Sequence, residues 1–246
     1  MPTAVQVIDP IRKKGGLRLV ASSPTFFPAI EPITIFKILV QGSAFIAWLV
    51  RLRGIPRSLR PIWFFLVLSV LVENGAIAMR ALLGNNTLLY MIWIPVFITL
   101  ISYWLWRCIA KRWAGLFIGA AVMIYYTLLI TELATEHGSQ LLFQRSLLFG
   151  YGYITALCAY CLVQLAEEAQ GQLWNEPLFW VYLAFFASLG PAIPYLGMLN
   201  HLYRVDELKA DSLFAIIDLL FLLQFTALAI AGLRLHRQPK AAIDGV

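Results

Sequence analysis

The sequence predicts an all-α, polytopic integral membrane protein: a bundle of seven transmembrane helices, N-terminus out and C-terminus in. Three observations carry this: the bulk composition, seven long apolar segments, and the placement of lysine and arginine between them. Of 246 residues, 61% are apolar and only 13% charged, and the mean hydropathy is +0.77. Soluble domains are about half apolar and a quarter charged, so a soluble globular fold is excluded. The composition is also the reverse of a disordered chain, and three cysteines are too few for a disulfide scaffold.

A helix needs about 20 mostly apolar residues to cross about 30 Å of hydrocarbon. Seven segments meet this, running approximately Ile33 to Leu52, Ile62 to Leu83, Leu88 to Ala110, Trp113 to Ala134, Leu141 to Ala166, Leu178 to His201, and Ser212 to Leu235. Hydrocarbon offers backbone groups no hydrogen bonds, so these segments must be helices, and the shorter alternating segments of a barrel are missing. Between them stand turn residues: Arg51 to Arg57 with Gly54 and Pro56, then Gly84-Asn85-Asn86-Thr87, and later Gln170 to Pro177. Only Lys111-Arg112 separates the third and fourth spans, which predicts a tight antiparallel pair.

Residues 1–32 read as a basic N-terminal tail, 33–235 as the transmembrane domain and 236–246 as a short cytoplasmic tail. Arg12, Lys13, Lys14 and Arg18 precede prolines rather than an apolar core with a cleavage site, so the start is not read as a signal peptide. With the C-terminus inside, the cytoplasmic side holds Arg51, Arg53, Arg57, Arg60, Arg107, Lys111, Arg112, Arg234, Arg237 and Lys240. The opposite loops hold only Arg80, Arg145, Arg204 and Lys209. Short positive loops stay in the cytoplasm, which sets the orientation, although the basic N-terminal tail argues the other way. The net charge of +6 follows from the same rule, and no nucleic acid is implied.

Ionisable groups inside spans cost about 2.5–3.5 kcal/mol each at a helix centre, so they are the default functional candidates. Because helices alternate in direction, residues late in the second, fourth and sixth spans share a side with residues early in the third, fifth and seventh. That side gathers Glu73, Arg80, Tyr90, Glu132, Gln144, Arg145, Tyr195, Asn200, His201 and Asp218. The expected ligand-binding set is Glu73, Arg80, Tyr90, Glu132, Tyr195, His201 and Asp218. Glu73 is the deepest carboxylate and is read either as a ligand contact or as a structural ion pair. Glu132 suits a cavity rim or an exposed face. In the sixth span, Pro191 and Pro194 remove backbone donors, and the expectation is a bend that opens space beside Tyr195. Trp63, Trp104, Trp106, Trp113, Trp174 and Trp180 fall near span ends and read as interface anchors.

Several chemistries are excluded or demoted. The seventh span has no lysine for a retinal Schiff base. Cys108, Cys158 and Cys161 lie within spans and read as small packing residues rather than a zinc site. His137, His201 and His236 stand singly, and no phosphate loop, Gly-x-Ser-x-Gly turn or arginine ladder occurs. No catalytic residue, metal or cofactor is expected.

Glu73-Asn74 late in the second span, Asn85-Asn86-Thr-Leu-Leu-Tyr90 opening the third and Glu176-Pro-Leu-Phe-Trp180 opening the sixth resemble the seven-helix membrane sensor regions at the front of certain bacterial histidine kinases. The resemblance implies a membrane-embedded receptor in a bacterial inner membrane. It supplies no catalytic residues. Here about ten residues follow the last span and no kinase does, so a sensor would signal through a protein partner in the membrane. The expectation is therefore a sensor-like, ligand-binding module with membrane lipid, a small-molecule ligand and that protein as partners. A small-molecule transporter, a structural subunit of a larger membrane complex and an intramembrane lipid hydrolase are the rivals.

Overall fold

The structure is a computed structural model that describes residues 32–83, 86–109, 111–135, 144–168, 173–205 and 207–235, with backbone alone for 199–205 and 207–214. The expected tails, and His137 and His236, lie outside the described residues. Among the described residues, seven helices are long and apolar enough to cross a membrane: α1 Pro32–Leu49, α2 Arg60–Leu83, α3 Thr87–Cys108, α4 Arg112–Thr135, α5 Gln144–Glu168, α6 Pro177–Val205 and α7 Glu207–Arg234. Sequential helices pack on one another, and α1 also packs on α7, which closes the ring; α3 contacts α5 across it.

Two boundaries differ from the sequence expectation. The backbone stays helical through Leu202 to Val205 and again from Glu207, where a polar loop was expected. The residues there, Glu207, Leu208, Lys209 and Ala210, are strong helix formers, so the helices continue past the apolar stretch. The second concerns the prolines: α3 runs through Pro95, and α6 runs through Pro191 and Pro194 without a break.

The core is aromatic at its centre. Phe65 of α2 lies 5.5 to 6.1 Å from the rings of Trp93 and Phe97 of α3, Phe185 of α6 and Phe225 of α7. Trp104 extends this layer, fully buried against Tyr182 and Phe185. It is thus a core residue and not the interface anchor expected from its place near a span end. Trp106, Trp113 and Trp174 are exposed, as anchors are.

Apolar contact between helices gains little in lipid, so close approach and polar bonds must hold them. Interhelical bonds join Thr99 to Tyr126 and Ser102 to Tyr153 through their hydroxyls. The tightest approach is α1 on α7. Trp48 Nε1 donates to the Leu228 carbonyl at 2.8 Å, and the indole lies over Gly232. A Cβ at Gly232 would sit 2.5 Å from Trp48 Cδ1 and 3.1 Å from the Ala47 Cβ.

Gly232→Ala should therefore destabilise the protein by about 1–3 kcal/mol through overpacking. Gly119→Ala, where an added Cβ meets nothing within 4 Å, should be neutral or stabilising by up to about 1 kcal/mol. Thermal unfolding of the purified protein in detergent reads both, and equal responses would contradict the close docking of α1 on α7.

Candidate functional site: a polar cavity between four helices

On α1, Lys37, Gln41, Ala44 and Trp48 recur at intervals of four, three and four residues, so they share one helical face. That face turns into the bundle, where Gln41, Ala44 and Trp48 are buried. Lys37 Nζ donates to Asp218 Oδ1 of α7 at 2.7 Å, with the two side chains only 24% and 20% exposed. The same ammonium stands 5.0 Å from the ring centre of Phe221. One turn along α1, Gln41 Nε2 donates to Ser69 Oγ of α2 at 3.1 Å.

Across from this pair, Tyr90 of α3 donates its hydroxyl to Glu73 Oε2 of α2 at 3.1 Å. Glu73 and Arg80, two turns apart on α2, both reach the same space. Together with Thr34, Asn86 and Phe221, these residues enclose a cavity of about 100 Å³ between α1, α2, α3 and α7. A single water needs at least about 10–15 Å³ of such volume. The cavity therefore has room for several waters or a molecule of a few heavy atoms. It is well below the roughly 300–1,000 Å³ typical of sites for drug-sized ligands.

The site brings two cations, Lys37 and Arg80, to the same cavity as two anions, Glu73 and Asp218. The four formal charges sum to zero, so the set presents both a cationic and an anionic side to the cavity. Phe221 closes one wall and packs on Phe225 in a tilted pair with ring centres 4.5 Å apart, which joins it to the aromatic layer around Phe65. The cavity thus adjoins a band of packed rings on the side facing the bundle centre.

Of the sequence-derived set, Glu73, Arg80, Tyr90 and Asp218 meet at this cavity. Tyr195 is half-buried on α6 and is not among the residues that line this cavity. The side chain of His201 lies outside the described residues. Glu132, expected at a rim or an exposed face, is buried within the bundle at 3% exposure. Its carboxylate accepts the Arg145 N–H at 2.6 Å, the Ser146 N–H at 3.0 Å and the Ser146 hydroxyl at 2.6 Å. It caps α5 from the neighbouring helix, satisfying N-terminal donors that have no partner within α5 and placing negative charge at the positive end of its dipole. Gln144 similarly ties α5 to α6 by donating to the Gly197 carbonyl.

Lys37 is absent from the sequence-derived set, yet it completes the site. Its signal is that it is the one charge between Ile33 and Val50, followed four residues later by Gln41 on the same face. Among the described residues, no three His, Cys, Asp or Glu side chains gather as a metal centre requires.

Two stability measurements follow. Lys37→Met should cost about 1–3 kcal/mol by stranding the Asp218 carboxylate, while Lys37→Met combined with Asp218→Leu should lose less than the two single changes added together. Additive losses would mean the pair is not coupled. Glu132→Ala should cost about 1–3 kcal/mol by leaving buried donors unmade, with Glu132→Gln, which keeps an acceptor, losing less.

No protein-family model, curated protein or solved structure matches the chain.

Proposed function

We propose that the protein is a membrane-embedded, ligand-binding receptor module whose cavity takes a small zwitterionic or multiply polar molecule and relays occupancy to a protein partner in the membrane. The observation that carries this is the meeting of Lys37, Arg80, Glu73 and Asp218 around one small cavity at membrane depth. Placing four ionisable side chains within spans is costly, which makes them the default candidates for a functional site. The site also borders α1, whose polar contacts run to α7 and α2. A guest carrying its own ammonium and carboxylate exchanges with the Lys37–Asp218 contact and so acts on the seating of α1. The resemblance of Glu73-Asn74, Asn85 to Tyr90 and Glu176 to Trp180 to kinase-linked sensor regions agrees with a receptor. The aromatic band of Phe65, Phe97, Phe185 and Phe225 beside the cavity favours a one-sided site over a transport path.

The test is thermal stabilisation of the purified protein by a panel of glycine, other small amino acids, betaines and short amines. A compound that raises the midpoint of the native protein should lose that effect in Glu73→Gln and in Asp218→Asn, with both variants still inserted in the membrane. Unchanged stabilisation in both variants would remove these carboxylates from the site. Flux of the same compound into proteoliposomes would favour a transporter.

A further inference from the structure

The opposite end of the bundle carries a second concave site. The chain leaving α1 makes a short 3₁₀ turn at Leu52–Gly54, and with Leu235 after α7 it surrounds a cavity of about 570 Å³ lined by Leu49, Val50, Arg51, Leu52, Arg53 and Gly54. Among the described residues, two guanidinium side chains and no carboxylate line it. Arg51 is positioned, since its Nη1 donates to the Gly232 carbonyl at 2.5 Å near the C-terminal end of α7. Arg53 is exposed on the turn. Beside these two cations the surface is strongly apolar: Val50 is 77% exposed, and Leu49, Leu52 and Leu233 are each about half exposed. Among the described residues, the acidic ones of this end, Glu167, Glu168 and Glu176, belong to the end of α5 and the start of α6, whereas the cavity belongs to the corner of α1 and α7.

We propose that this corner is a binding site for the headgroup of an anionic phospholipid, with the phosphate held by Arg51 and Arg53 and the acyl chains lying along Leu49, Val50, Leu52 and Leu233. Guanidinium groups present forked donors that match phosphate oxygens, and basic pockets at the ends of transmembrane helices meet anionic headgroups at that depth. The volume suits a headgroup rather than a lone ion. The exposed apolar side chains beside the arginines select an amphiphile over free phosphate, which has nothing to place against them. Arg51 already bonds the end of α7, so an occupant here adds a further tie between α1 and α7.

The experiment measures the thermal midpoint of the protein in nanodiscs of phosphatidylcholine, with and without phosphatidylglycerol, and in phosphatidylcholine discs with millimolar inorganic phosphate. Phosphatidylglycerol should raise the midpoint by several degrees, and inorganic phosphate should not. Arg53→Gln, whose side chain is exposed on a turn, should lose at least half of that rise, and Arg53→Lys should keep more of it. Arg112→Gln, an equal loss of exposed charge at the start of α4, should keep all of it. An equal loss in Arg112→Gln would reduce the effect to general surface charge, and an undiminished rise in Arg53→Gln would place the lipid elsewhere. A rise reproduced by inorganic phosphate would make the site one for free anions. Each of those three results overturns the proposal.

Discussion

A helix in lipid gains little by trading acyl chains for another helix, and this constraint shapes how α1 is held. Much of α1 faces outward, with Ile35, Phe36, Leu39 and Ile46 exposed on the bundle surface. What seats it is a line of polar contacts along a single face: Lys37 to Asp218, Gln41 to Ser69, Trp48 to the Leu228 carbonyl, and Arg51 beyond the helix end to the Gly232 carbonyl. Three of the four run to α7, and the small Gly232 lets the two backbones come close enough for them to form. The ring of seven helices closes through this seam.

The two candidate sites lie at opposite ends of that seam. Near the start of α1, the Lys37–Asp218 contact borders the small charged cavity; past its end, Arg51 and Arg53 border the larger basic one. Between them the aromatic layer and the Trp48 contact fill the interior. Both cavities thus border the same helix, and in the receptor reading proposed above the seating of α1 is the route that would link them. The α4–α5–α6 side is tied differently, with Glu132 capping α5 and Gln144 reaching a carbonyl of α6.

The seven spans were legible because the length of the hydrocarbon layer fixes how many apolar residues a helix must have. Glu73, Arg80, Tyr90 and Asp218 were legible as a group because alternating helix directions put them at one depth. Which of them meet was not, since that depends on helix neighbours, and nothing in the local pattern places α1 between α2 and α7. Lys37 stands close to the start of its span, where a lysine reads as reaching for the interface, and only the position of Asp218 on the adjoining helix gives it a role. The partners of Glu132 include two backbone N–H groups, which every non-proline residue has, so no residue type signals the cap. Trp104 was misread because nearness to a span end in sequence says nothing about cover by Tyr182 and Phe185 of another helix. The prolines of α6 lie within a continuous helix, and the charged side chains of α1, α2 and α7 line a cavity of their own.

The polar face shared by α1, α2, α3 and α7 lines open space rather than packed hydrocarbon. Neighbouring positions on α2 test it directly: Ile77 lines the cavity, and Ala78 is exposed on the outside of the bundle at the same depth. In a chain whose three cysteines are replaced by alanine, Ile77→Cys and Ala78→Cys are exposed in turn to a charged, water-borne thiol reagent in intact membranes. Labelling is expected at position 77 and protection at position 78. Protection at 77, or equal labelling at both, would contradict an open cavity there.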